Sequence, residues 1–234
     1  MSNNTPGGKM ERRPLHFIWI LDCSRSMRDD GKIQILNQAI KDAIPFMQKS
    51  ASDNPFVNVL VRAITFSDGA QWHISQPTPV ENLKWNDITA DGLTSMGKAL
   101  SMVAEQLNTK NLGDERGFRP VLVLVSDGLP TDDFQKGLND LMSEMWGQKA
   151  IRLAIAIGKD ADLVVLQKFI NHPEIKPLEA QNSADLTRYI KYTSTQAGID
   201  YAAKPLTFLK GGSNIPQPPS PSSPDTSGEY DIWD

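Results

Sequence analysis

Residues 15–26 read LHFIWILDCSRS. Leu15–Leu21, with the unbroken apolar run Phe17–Leu21 inside it, is a short, aromatic-rich stretch without the polar alternation of a half-exposed strand. It predicts a strand buried on both faces, which is the position of a central strand in a parallel sheet. The run ends directly in Asp22, with Ser24 and Ser26 at i+2 and i+4. A carboxylate and two hydroxyls at that spacing, on extended or turning backbone, can point the same way. Everything else in the chain is read outward from this strand end.

Downstream, Ile33, Leu36, Ile40, Ala43, Ile44 and Met47 recur at helical spacing, with Pro45 expected to kink or restart the helix. Val57–Phe66 reads as a second strand, and Ser67-Asp68-Gly69 as a tight turn into an antiparallel edge strand, Ala70–Ser75. Met96, Leu100, Val103, Ala104 and Leu107 mark a helix. Val121–Val125 is another buried strand, followed by one helix carrying Phe134, Leu138, Leu141 and Met145 and stopping at Gly147. Ile151–Ile157 is a further strand. A helix through Leu163, Leu166 and Ile170 is capped near Asp160 or Asp162, and a last helix runs from Ser183 to a stop at Gly198. Strands alternating with helices imply an α/β fold: a doubly wound, mostly parallel sheet with one antiparallel edge strand, flanked by helices. Ligands of such sheets bind at the carboxyl ends of the strands.

The chain has 234 residues, of which 39% are apolar and 22% charged, so one domain with tails can bury a full core. The net charge of −4 argues against a general nucleic-acid binder. The single cysteine excludes an intramolecular disulfide and a CxxC zinc site, and fits a reducing, cytoplasmic setting. No apolar run approaches the length of about 20 residues that a membrane span needs, and the polar start does not read as a signal peptide. Residues 1–13 are expected to be a disordered N-terminus and 14–203 the domain. Residues 204–228 are a Pro/Ser/Gly-rich linker: in 211–228, thirteen of eighteen residues are Pro, Ser or Gly, which predicts an extended spacer. The chain closes on the acidic-aromatic motif EYDIWD, residues 229–234.

Asp127 follows the Val121–Val125 strand in Ser126-Asp127-Gly128, and Thr94 directly precedes the Met96 helix. In a doubly wound topology both lie at the same sheet edge as Asp22. Asp22, Ser24, Ser26, Thr94 and Asp127 then form an all-oxygen set of two carboxylates and three hydroxyls. Hard oxygen donors of this number suit Mg²⁺ or Mn²⁺ rather than zinc or copper. Because three donors are neutral, the metal keeps an appetite for a carboxylate supplied from outside. A hydrolytic site would need a positioned general base as well, and no candidate for one is visible.

At these residues the chain resembles the von Willebrand factor A family and its metal-ion-dependent adhesion site. The family's D-x-S-x-S matches Asp22, Ser24 and Ser26, its threonine matches Thr94, and its aspartate matches Asp127. The resemblance covers roughly residues 14–200. Residues 126–133 (SDGLPTDD) and 155–162 (IAIGKDAD) look like the bacterial TerY-like, tellurite-resistance-associated branch. That resemblance implies a cytoplasmic, non-enzymatic domain working beside a Ser/Thr kinase and a PP2C-type phosphatase in signalling, stress resistance or defence. One departure is Arg25, where related bacterial proteins usually carry glycine.

Arg25 and Met27, beside the hydroxyls, are candidate partner contacts, as are Tyr230, Ile232 and Trp233 of the terminal motif, whose large apolar groups suit a small interface. Tail carboxylates are expected to reach the open metal position in cis or from another copy, so that the tail mediates self-association. Rival readings are a metal-independent scaffold or phosphorylation target (Ser220, Ser222, Ser223, Thr226, Ser227), a metal-dependent phosphatase, and an adaptor of a AAA+ ATPase. Against a haloacid-dehalogenase-like phosphatase, Ser24 stands where that chemistry wants a second aspartate. The histidines, His16, His73 and His172, read as surface or filling residues, and no phosphate-cradling glycine motif occurs. Cys23 reads as packing.

Overall fold

A computed structural model describes residues 12–108, 112, 117–203 and 216–220. The sheet has six strands: β1 (Arg13–Asp22), β2 (Val57–Phe66), β3 (Ala70–Pro79), β4 (Val121–Ser126), β5 (Ile151–Ile157) and β6 (Leu178–Ala180). Their order is β3-β2-β1-β4-β5-β6, with only β3 antiparallel. β1 is therefore central, as its uninterrupted apolar run requires. Its register, Asp22↔Phe66 on one side and Leu21↔Val125 on the other, brings the ends of β1, β2 and β4 to one edge.

The period of two along β1 sorts its side chains into two cores. Leu15, Phe17, Trp19 and Leu21 face the layer of helices α1 (Lys32–Asp53) and α6 (Ser183–Ser194). Ile18 and Ile20 face α2 (Met96–Gln106), α3 (Phe134–Ser143) and α5 (Leu163–Ile170). Trp19 is fully buried and stands edge-on to Phe17 at 5.2 Å and to Trp85 at 5.8 Å, while its Nε1 donates to Ser194 Oγ at 3.3 Å. An aromatic of this size buries about 150–250 Å², worth about 4–6 kcal/mol as an upper bound. The central strand thus anchors both layers and cannot shift without losing them.

Several local expectations change. Pro45 does not restart α1, which runs unbroken through it. The edge strand β3 continues past Ser75 to Pro79; an edge strand tolerates the missing amides of Pro77 and Pro79, and the β2 pairing slips near Val61–Ala63 to admit them. The helix expected to reach Gly147 breaks at Glu144 (φ −85°, ψ 134°) and resumes as α4, Met145–Lys149. Gly147 lies inside that turn, because a Cβ there would sit 1.9 Å from the Leu141 carbonyl oxygen. It permits a close fold-back rather than a stop. The last helix ends at Ser194, and Gly198 falls in a following π turn, Gln196–Asp200. The three-residue strand β6 had no recognisable signal. Asp162, not Asp160, caps α5, accepting from the Val164 and Val165 amides. Arg13, assigned to the N-terminal segment, begins β1.

Candidate functional site

Asp22 closes β1 and Ser126 closes β4, on the same face of adjacent parallel strands. Ser126 Oγ accordingly donates to Asp22 Oδ2 at 2.6 Å, while the Ser24 amide donates to Asp22 Oδ1 at 2.8 Å as the chain turns. Both carboxylate oxygens are engaged and the side chain is fully buried. Burial pushes its pKa up to about 6 against the pull of the Ser126 and Ser24 hydrogen bonds, with the nearby Asp127 charge adding to the rise.

Ser24 Oγ lies 3.1 Å from Ser26 Oγ, and Ser26 Oγ donates to Asp127 Oδ1 at 2.7 Å. The cluster Asp22–Ser24–Ser26–Asp127 is therefore contiguous. Thr94 reaches the same edge by a different route. Its amide donates to Thr131 Oγ1 at 3.0 Å, and its carbonyl accepts from the Thr131 amide at 2.9 Å, so the loop before α2 is stitched to the loop after β4. The same loop supplies Asp132, whose carboxylate accepts from the Gly97 and Lys98 amides at 2.8 and 2.7 Å and caps α2. Behind this stitch α2 and α3 touch backbone to backbone: a Cβ on Gly137 would lie 2.1 Å from the Gly97 carbonyl oxygen. The Ser67–Asp68 turn completes the frame, through Leu93 amide to Asp68 Oδ1 at 2.9 Å and Ser95 amide to the Ser67 carbonyl at 2.8 Å.

Lys32 was not singled out in the sequence. Its ammonium lies 3.2 Å from Asp127 Oδ2, with both side chains buried. The signal was available only as a lone lysine opening an otherwise apolar helical face. Ser126 was read only as part of the strand end, and Thr131 and Asp132 only for a family resemblance; their hydrogen-bonding roles follow from contacts between segments far apart in sequence.

Arg25 is exposed, its side chain 3.9 Å from Asp91, and it does not adopt the positive φ that glycine would serve; in this loop that conformation falls on Asp30 and Gly31. Met27, expected as a partner contact, is instead fully buried in the α1-side core, which leaves it no exposed surface to offer. Cys23 is buried, and burial followed by the Asp22 charge pushes its thiol up to about 12, too high to form a thiolate nucleophile. Tyr230, Ile232 and Trp233 lie outside the described residues. Two apolar side chains that the sequence did not mark stand exposed beside the cluster, Leu93 at 59% and Leu129 at 62%.

The donors fit a hard divalent ion: two buried carboxylates and neutral hydroxyls joined by hydrogen bonds, with no thiolate or imidazole among them. Among the described residues, no helix is long and apolar enough to cross a membrane.

No curated protein matches the sequence. Solved structures share the fold. The ArnB paralog VWA2 from Sulfolobus acidocaldarius is similar at 16% identity and TM-score 0.58, over 77% of this chain and 45% of that one. A von Willebrand factor type A protein from Catenulispora acidiphila is similar at 16% identity and TM-score 0.60, over 79% and 42%. Proximal thread matrix protein 1 from the mussel byssus, with a zinc-occupied metal-ion-dependent adhesion site, is similar at 14% identity and TM-score 0.57, over 78% and 45%. The chain spans less than half the length of each. Domains of this type bind a divalent metal at that site and often mediate metal-dependent protein interaction. The model of the von Willebrand factor type A domain matches residues 18–192, and the chain belongs to that family.

Proposed function

We propose that this domain is a non-enzymatic, metal-dependent interaction module in which Asp22, Ser24, Ser26, Thr94 and Asp127 hold a divalent ion that captures an Asp or Glu side chain of a protein partner. The observation that carries the reading is the charge count of the cluster. Asp22 and Asp127 contribute −2 and the buried Lys32 contributes +1, so a divalent ion would leave the site at +1. One incoming carboxylate brings it to neutrality. The exposed Leu93 and Leu129 flank the opening and supply apolar contact around that charge, the anatomy of a small docking face. Mg²⁺ or Mn²⁺ is favoured by the hard donors, although the mussel protein shows zinc in the equivalent motif of a relative.

An enzymatic role finds little support in the same residues. The Cys23 thiol is held protonated by burial and then by the Asp22 charge. His16 lies toward the far end of β1, and His73 on the edge strand. Partnership with a kinase and a PP2C-type phosphatase, and a cytoplasmic location, rest on the sequence resemblance at residues 126–133 and 155–162 alone. The roles of Arg25 at the rim, and of Tyr230, Ile232 and Trp233 as a tail motif, belong to the same proposal.

Titration calorimetry of the full chain with Mn²⁺ tests it. The wild type should bind one ion, and Asp22→Ala should remain folded with binding at least about 100-fold weaker, since a buried ligand carboxylate is lost. Equal binding by the two proteins refutes the assignment.

A further inference from the structure

β5 is paired with β4 from Ile151 to Ala156, but β6 covers only Ile155–Ile157 on its other side. Among the described residues, the outer edge of β5 from Ile151 to Ala154 has no strand partner, and uncovered edges are usually blunted in some way. At this notch lies a pocket of about 470 Å³ walled by Leu153, Ala154, Ile175, Leu178 and Tyr192, and closed by Pro216–Pro218 of the chain's own C-terminal region. The Tyr192 hydroxyl donates to the Pro216 carbonyl and the Arg188 guanidinium to the Ser220 carbonyl. Tyr192 and Arg188 are one turn apart on one face of α6, so the segment runs antiparallel to the helix. Arg188 is itself oriented by Asp185 Oδ1 at 2.5 Å.

We infer that this notch is a binding site for a proline-rich peptide, bordered in cis by Pro216–Ser220, which hydrogen bonds to Tyr192 and Arg188 latch to α6 beside the β5 edge. The chemistry fits on three counts. Prolines at 216, 218 and 219 fix φ, so little chain entropy is lost on docking. The Pro216 carbonyl and the Ser220 carbonyl just after the last proline accept from the two donors that α6 presents. The prolines' missing amides let the segment lie beside a strand edge without extending the sheet. Docking of a proline-rich segment on a groove lined by an aromatic side chain, here Tyr192, is a recurring recognition mode. Twelve residues, 204–215, separate Ala203 from Pro216. A link of that length reaches up to about 45 Å, enough to close on the same molecule. The notch is remote from the strand-end cluster, and the inference does not depend on the metal reading.

The test uses the full chain and a fluorescein-labelled peptide of residues 214–222. A variant carrying P216G, P218G and P219G, all outside the folded core, should free the notch. An effective concentration in the millimolar range against an intrinsic Kd of about 0.1 mM predicts peptide binding about 10-fold tighter to this variant than to the wild type. Adding Tyr192→Phe and Arg188→Gln should return it to the wild-type level. Hydrogen exchange of the Ile151–Ala154 amides should quicken in the triple-glycine chain, which checks the latch without the helix variants. Equal peptide affinity for wild type and freed chain, or unchanged exchange, overturns the latch. Concentration-dependent dimerisation of the wild type that the glycine variant lacks overturns the cis arrangement in favour of exchange between copies.

Discussion

Replacing Lys32 with methionine removes the ammonium 3.2 Å from Asp127 Oδ2 and keeps an apolar stem of similar length. Lys32 is 5% exposed and Asp127 1%, so no solvent takes the ammonium's place. At an effective permittivity of about 20 the pair attracts by about 5 kcal/mol, and breaking a buried pair typically costs about 3–5 kcal/mol because one charge stays buried alone. In the presence of a chelator the variant should therefore melt about 6–20 °C below the wild type for a domain of this size. A divalent ion reverses the balance. In the wild type it shares Asp127 with a resident cation; in the variant it meets an uncompensated carboxylate, and Mg²⁺ affinity should rise about 10- to 100-fold. Differential scanning calorimetry with EDTA and with excess MgCl₂, together with Mg²⁺ titration calorimetry, reads both effects. Mg²⁺ should raise the melting temperature more in Lys32→Met than in the wild type. An equal Mg²⁺ shift in the two proteins, or weaker Mg²⁺ binding by the variant, would refute the view that Lys32 competes with the metal for Asp127.

Other consequences follow from single contacts. Gly137→Ala places a Cβ about 2.1 Å from the Gly97 carbonyl and forces α2 from α3; despite the better helix propensity of alanine it should cost about 2–4 kcal/mol, and a melting temperature equal to wild type would contradict the backbone contact. His16 is held neutral, its pKa lowered to about 4 by burial and then by the Arg62 guanidinium. Because the folded value lies below the unfolded 6.5, this stability is fully present above pH 6.5 and is lost as pH falls towards 4, by about 3 kcal/mol in all. His16→Leu should flatten that limb of the acid-unfolding curve, and superimposable curves would exclude His16 as its source. Leu129→Ser should leave Mn²⁺ affinity unchanged while weakening capture of the protein partner several-fold; loss of metal binding instead would move Leu129 from the docking face to the site's framework.

The strands, the helices and the metal-type motif were legible because each is written in short-range spacing. An apolar run such as Phe17–Leu21 must be buried, a 3.6-residue period must face a layer, and Asp22, Ser24 and Ser26 need only one turn of backbone to converge. Proline and glycine were read less well. Pro45, Gly147 and Gly198 carry local preferences that packing overrode, and β6 is too short to leave a periodic trace. Thr94 and Asp127 were placed by resemblance and by strand order, yet the bonds that hold them could not be seen from spacing.

The sequence by itself determined the five longer strands, apart from their exact ends, and the sheet edge at which oxygen donors gather, since both follow from periodicity and topology. Only the tertiary structure decided that Ser126 locks Asp22, that Asp132 caps a helix thirty-five positions earlier in the chain, that Met27 lies inside, that Lys32 balances Asp127, and that a proline segment is hydrogen-bonded to Tyr192 and Arg188. These contacts join residues far apart in the chain, and their existence depends on how whole layers pack, a quantity that no local pattern of residues encodes.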